Sequence, residues 1–195
     1  MSKTRPLILA SASPRRKELL ELVGLKFRVD AGEYEEDLAL KLSPPVLAKH
    51  LSREKALSVS QRYRDALIIA ADTFIVFRSA LLGKPHTTAE AVRMLTLLNG
   101  RPHTVFTGYT VLDVKTGKHR SRSVETTVWF KKLSPAEIHA YARTGEPLDK
   151  AGAYAIQGLG SLIVKKIDGD YFNVIGLPLT SLAETLKQFG IRILA

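Results

Sequence analysis

The 195-residue sequence contains no cysteine. Disulfide staples, thiol nucleophiles and cysteine-ligated metals are therefore excluded. Its five histidines show no His-x-x-x-His spacing, which removes the commonest histidine zinc pattern. Side-chain amides are scarce too: Asn99, Asn173, Gln61, Gln157 and Gln188 are the full set, beside two Met. Few thermolabile residues is the pattern of heat-adapted proteins. No apolar run reaches the roughly 18 residues that would span a bilayer. The basic start Met1 to Arg5 leads to Ser11–Arg16, which interrupts any signal-peptide core, so a cytoplasmic protein is expected. Acid is in short supply as well. There are 19 Asp and Glu against 29 Lys and Arg, giving a net charge of +10. That balance favours anionic partners such as nucleotides or nucleic acid. The basic residues are dispersed rather than gathered in a tail, which argues against a nucleic-acid arm.

Hydrophobic residues make up 45% and charged residues 25%, the composition of an ordinary globular chain with a sizeable core. Elements alternate along it. Apolar runs predict strands at 7–10 and 66–77, with a short extended piece at 26–30. Ser43-Pro44-Pro45 opens a helix through Leu57. Thr87-Thr88-Ala89-Glu90 and Ser134-Pro135-Ala136-Glu137 are capping-box patterns that open two more, stopped near Asn99-Gly100 and Gly145. Two alternating strands, 103–114 and 120–131, flank the turn Lys115-Thr116-Gly117-Lys118. Further strands are expected near 161–167 and 172–175, and a closing helix over 177–189. Interleaved helices and strands give an α/β class, and the central hairpin makes the sheet mixed. No linker divides the chain, so one domain over 1–195 is expected.

Several residues stand where chemistry is a better explanation than packing. Ser13 is placed as a helix N-cap with Pro14 at the first helical position. Arg15 and Arg16 then fall in the first turn, where the helix dipole disfavours cations. A phosphate docked among Ser11, Ser13, Arg15 and Arg16 would reverse that cost; an exposed basic turn is the alternative. Asp72 interrupts Leu67-Ile68-Ile69-Ala70-Ala71-Asp72-Thr73-Phe74-Ile75-Val76-Phe77. A carboxylate in such a run costs several kcal/mol unless it is paired, hydrogen-bonded or metal-bound. It is read either as a catalytic group or as an Asp at a strand end or bulge that caps a turn or meets an Arg. Glu33, Glu35, Glu36 and Asp37 form an acidic cluster, either a solvated loop or a divalent-cation site. Lys55 lies on a helix, and Lys84 is fixed between Gly83 and Pro85, where it can serve as a point charge on phosphate. The loop Asp149 to Gly160 is rich in small residues and matches neither the P-loop nor the dinucleotide fingerprint. Within it the amide of Gln157 can both donate to and accept from a base edge, or pair with backbone.

Taken together, Ser11-Ala12-Ser13-Pro14-Arg15-Arg16, Arg53-Glu54-Lys55-Ala56, Ala71-Asp72-Thr73, Gly83-Lys84-Pro85, the 146–160 loop and Val174-Ile175-Gly176-Leu177-Pro178-Leu179 resemble the Maf family of nucleoside triphosphate pyrophosphatases. The resemblance runs from about Leu7 to Phe189. It implies an elongated α/β fold with two lobes around a cleft, similar in architecture to inosine triphosphate pyrophosphatases. It implies hydrolysis of a nucleoside triphosphate to the monophosphate and pyrophosphate with Mg²⁺ or Mn²⁺, and a homodimer. By the same resemblance Asp72 is the proton acceptor and a metal ligand. Ser11, Arg15, Arg16, Lys55 and Lys84 bind phosphates, and Glu36 holds the metal, with Glu33 and Glu35 as alternatives because this loop departs from the family pattern. Arg16, Thr73 and Gln157 occupy positions associated with base choice. Glu146-Pro147-Leu148-Asp149-Lys150-Ala151-Gly152-Ala153-Tyr154 and Ile156-Gln157-Gly158 resemble the subfamily acting on dTTP and UTP. The competing expectation, from a different class, is a nucleic-acid- or partner-binding regulator of cell division with a vestigial nucleotide pocket.

Overall fold

The computed structural model describes residues 5–34, 37 and 40–194. In chain order the elements are β1 (Leu7–Ala10), α1 (Pro14–Leu22), β2 (Arg28–Val29), α2 (Pro44–Ser60), β3 (Leu67–Phe77), β4 (Ala80–Leu82), α3 (Thr88–Leu98), β5 (Pro102–Asp113), β6 (His119–Phe130), α4 (Pro135–Arg143), β7 (Val164–Asp168), α5 (Tyr171–Ile175) and α6 (Leu179–Lys187). Short 3-10 turns occupy 146–149, 151–153 and 158–162. The strands pair in the order β2-β1-β3-β5-β6-β7, with β4 on β3. Parallel and antiparallel pairs are both present, so the class is mixed α/β. Among the described residues no helix is long and apolar enough to cross a membrane.

The chain divides into two compact units, each assembled from separate segments. The first comprises residues 1–72, 107–124 and 176–195. Here β1 runs parallel to β3, with Leu7 opposite Leu67 and Ala10 opposite Ala70. Parallel neighbours need a long crossover, and α1, β2 and α2 fill it. Its core gathers Ile8, Ala10, Ala56, Val59, Ala66, Ile68, Ala70 and Leu112. α2 approaches β5 so closely at Gly108 that a Cβ there would lie 1.9 Å from the Ala48 carbonyl oxygen. Only glycine permits that contact. Arg5 seals the strand ends, its guanidinium donating to Asp113 and to the Ala66 carbonyl. That pairing holds the Asp113 carboxyl well below the usual range against an opposing effect of burial.

The second unit comprises 73–106 and 125–175. β3 continues into a tight hairpin with β4, an element the sequence pattern does not mark. Its two turn residues, Arg78 and Ser79, sit at φ 47° and 68°. Left-handed values at both positions are what the type I′ turn of a two-residue hairpin requires. α3 and α4 supply Leu95, Leu98, Ile138 and Tyr141 to a core shared with Val128, Phe130 and Tyr154. Ser134 and Glu137 form the expected reciprocal capping box. At α3 the box is only half made: Thr87 accepts from the Glu90 N–H, but the Glu90 carboxylate turns to the His86 N–H instead.

The strand expected at 172–175 is helical, and the one expected from 161 begins only at Val164. Asp170 accepts from the Asn173 N–H, starting a turn, and the buried Asn173 amide donates to the Val105 carbonyl and to Thr126 Oγ1. Those polar bonds override an apolar run too short to settle the period by itself.

His103 lies in this second core, 3% exposed, with Nε2 2.8 Å from the Tyr154 hydroxyl and its ring edge-on to Phe130. Burial pushes its pKa down to about 4. The folded state therefore prefers the neutral ring. Its contribution is complete above the unfolded value of about 6.5 and is lost as pH falls toward 4. We expect about 2 kcal/mol of stability to disappear by pH 5 from this group. Urea unfolding of wild type and His103→Gln between pH 7.5 and 5 checks it: the variant should lack most of this slope, and parallel curves would contradict the assignment.

Candidate active site

Two parallel strands deliver the first groups. Ala10 and Ala70 are the last residues paired between β1 and β3, β3 itself running on to Phe77. Ser11 directly follows one, and Asp72 lies two residues past the other. The carboxyl ends of adjacent parallel strands are where α/β sheets bind ligands. At the β1 exit the chain turns into α1, with Ser13 at the N-cap and Pro14 first in the helix, as the sequence indicates. The Ser13 side chain makes no cap hydrogen bond. Ser11 Oγ instead accepts from the Ser13 N–H at 3.3 Å and from Arg16 Nη1 at 3.1 Å.

Arg16 is 9% exposed, and its Nε donates to the Gly176 carbonyl at 2.9 Å. Its guanidinium thus ties the β1–α1 turn to the segment before α6. This bridging role is more than the phosphate contact expected from sequence. Arg15, next to it, is half-buried.

Asp72 stands in the middle of a strand rather than at its end, 2% exposed, and its partner is a lysine rather than an arginine. Lys55 Nζ, from α2, donates to Asp72 Oδ1. The other carboxylate oxygen, Oδ2, is buried and has no hydrogen-bond partner among the described residues. Buried carboxylate oxygens are rarely left unsatisfied, because each orphan costs about 1–3 kcal/mol. An orphan here is an acceptor held ready for a water, a substrate proton or a hard cation. Glu36, the other expected metal ligand, lies outside the described residues. Among the described residues no three His, Asp or Glu side chains are grouped to cage a metal. A divalent ion that takes one or two carboxylates and fills its remaining positions with phosphate and water needs no such cage, and the orphaned Oδ2 suits it.

Thr73, Lys84 and Gln157 belong to the second unit. Thr73 follows Asp72 on β3 and is half-buried, and Lys84 is exposed beside the buried Pro85. The Gly83 carbonyl accepts from the Gly152 N–H at 2.9 Å, so the turn carrying Lys84 is tied to the loop carrying Gln157. Gln157 is half-buried, in extended conformation just before the 158–162 turn, rather than within a strand. Sequence reasoning missed what organises this loop. Tyr141, at the end of α4, and Glu146 receive or donate four hydrogen bonds around it. The available signal was a glutamate directly after Gly145, whose φ of 78° turns the chain out of the helix.

The family model for Maf-like proteins matches residues 6–189. The chain belongs to the Maf family. A Maf relative from Methanosarcina barkeri is 51% identical over 190 residues, covering 97% of this chain and 96% of its own length. One from Thermoanaerobacter sp. is 50% identical over 190 residues, covering 96% and 99%. One from Moorella thermoacetica is 48% identical over 185 residues, covering 95% of each. All three are named dTTP/UTP pyrophosphatase.

Proposed function

We propose that this chain is a nucleoside triphosphate pyrophosphatase that converts dTTP and UTP to the monophosphate and pyrophosphate, with Asp72 accepting the proton of the attacking water. The observation that carries the reading is the pairing of a buried carboxylate with a single lysine, leaving one oxygen unpartnered, two residues beyond the last β1–β3 pair. Near-complete alignment with Maf relatives bearing that name supports the substrate class.

In this mechanism Ser11 and Arg15, at the first turn of α1, bind the phosphate chain, with Arg16 keeping the turn in place. Lys84 adds a point charge, which neutralises phosphate without the fixed geometry of an arginine fork. Lys55 holds Oδ1 and so fixes the carboxylate plane, which aims Oδ2 at the water. A water oriented and deprotonated there attacks the α-phosphorus, and pyrophosphate leaves. Asp72 and Glu36 would hold a divalent cation, Mg²⁺ or Mn²⁺, which when bound neutralises phosphate charge and makes water a stronger acid. The Gln157 amide reads the base edge, because a group that both donates and accepts matches the alternating edge of thymine or uracil.

Release of pyrophosphate from a panel of nucleoside triphosphates, with Mg²⁺ or Mn²⁺, tests the proposal. dTTP and UTP should lead the panel. No hydrolysis, together with salt-sensitive binding to DNA or RNA, would replace it with the regulator reading. Gln157→Ala should lower the preference for dTTP over CTP by about tenfold, the worth of one well-made hydrogen bond in a recognition site. The kcat on dTTP should change far less. An unchanged preference would remove Gln157 from base reading.

A further inference from the structure

We infer that Tyr141 and Glu146 form a clamp that positions Gln157, and that this clamp sets which base the enzyme accepts. The inference deepens the reading of Gln157 given above and rests on it. Both are positioning residues, acting through the backbone on either side of the amide that meets the base.

The geometry is closed around a short stretch of chain. Tyr141 Oη donates to Glu146 Oε1 at 2.8 Å and accepts from the Ala155 N–H at 3.2 Å. Glu146 Oε1 also accepts from the Gly160 N–H at 3.0 Å, and Oε2 from the Leu159 N–H at 3.1 Å. Gln157 is therefore held two residues before and two and three residues after by one carboxylate and its phenol. Glycine is needed at two points in this loop. Gly158 has φ of 64°, and a Cβ there would meet Glu146 Oε2 at 2.7 Å. A Cβ on Gly160 would fall 2.1 Å from the Ala155 carbonyl oxygen and 2.6 Å from the Tyr141 hydroxyl.

All three donors reaching Glu146 need an acceptor, and only an ionised carboxylate offers acceptors on both oxygens. Burial works against ionisation, but the hydrogen bonds from Tyr141, Gly160 and Leu159 outweigh it and hold the carboxyl below its ordinary value. Burial first, then the bond to Glu146, push the Tyr141 phenol above its own. It therefore keeps its proton and remains a donor. Positioning within a few tenths of an ångström decides whether a side-chain amide makes or misses a base contact.

Three variants test the clamp. Tyr141→Phe keeps the ring packing and removes one donor and one acceptor. Glu146→Gln keeps the shape but turns an amide NH₂ toward backbone N–H groups. Gln157→Ala reports on base reading itself. Each is compared with wild type by amide hydrogen exchange over 155–160 and by kcat/KM for dTTP and CTP. The expected result is exchange at 155, 159 and 160 faster by about tenfold in the two clamp variants. Their dTTP preference should fall by a factor comparable to that of Gln157→Ala, while kcat on dTTP stays within about threefold. Faster exchange with unchanged preference in both variants would make the clamp a structural staple and overturn the inference, leaving the role of Gln157 standing. Unchanged exchange would overturn it too. An unaltered preference in Gln157→Ala would bring down the base reading and, with it, the clamp's route to selectivity. Tyr141→Phe alone decides the matter if Glu146→Gln does not fold.

Discussion

Replacing Asp72 with asparagine should lower kcat on dTTP by roughly 10²–10⁴-fold, the range lost when a general base is removed. The substitution is nearly isosteric, and Lys55 keeps some access to water, its side chain being 16% exposed. The ammonium left behind can therefore rehydrate, and the variant should remain folded. Its amide can present a carbonyl to Lys55 in place of Oδ1, but the group replacing Oδ2 is then an NH₂ that accepts nothing. On the proposed mechanism, proton abstraction is lost while binding of the phosphate chain should remain. The KM for dTTP should accordingly move much less than kcat, the pattern of an interaction made in the transition state. Turnover within a few fold of wild type in a folded Asp72→Asn protein would remove the residue from its catalytic role.

The second large effect is on stability. Lys55→Met should cost about 3 kcal/mol, because it leaves the buried Asp72 carboxylate, 2% exposed on β3, with neither of its oxygens paired. Methionine preserves the length and most of the apolar stem, so lost packing contributes little. The double variant Lys55→Met, Asp72→Asn should recover a large part of that loss, since the uncompensated charge is gone. Denaturant unfolding of the two single variants and the double gives the coupling directly. A loss below about 1 kcal/mol for Lys55→Met would mean that the pair is effectively solvated, and the account of Asp72 as a desolvated base would fail with it.

Much of this architecture is legible from local pattern. β1 and the first half of β3 are continuous apolar runs, buried throughout, as expected where both faces of a parallel strand are covered. β5 and β6 flank a glycine-containing turn, and Ser134 with Glu137 marks a helix start through two reciprocal hydrogen bonds. Two of the misreadings turn on polar contacts outside the local pattern, one long-range and one four residues away. Asn173 commits its amide to Val105 and Thr126, dozens of residues away, and the segment around it becomes helical. Glu90 prefers the His86 N–H to the N-cap, a choice that nothing in the four-residue motif encodes.

The candidate site divides in the same way. Asp72 stands out because charge in an apolar strand has a large cost, and that reasoning needs no partner to be known. Which partner offsets the cost is a tertiary matter, and the answer is Lys55 rather than an arginine. Arg16 reads as a phosphate ligand, and only the fold adds the bond from its Nε to the Gly176 carbonyl across 160 residues of sequence. The meeting of Tyr141 with Glu146 is not legible for a different reason. Their spacing of five does not place them on one helix face, and they meet only because the chain leaves α4 at Gly145 in a left-handed turn.

The most direct measurement is hydrolysis of dTTP in ¹⁸O-labelled water, with the products separated and weighed. Attack by a water readied at Asp72 on the α-phosphorus predicts one labelled oxygen in dTMP and none in pyrophosphate. Label in pyrophosphate, or release of orthophosphate with dTDP, would place the attack at another phosphorus and contradict the account.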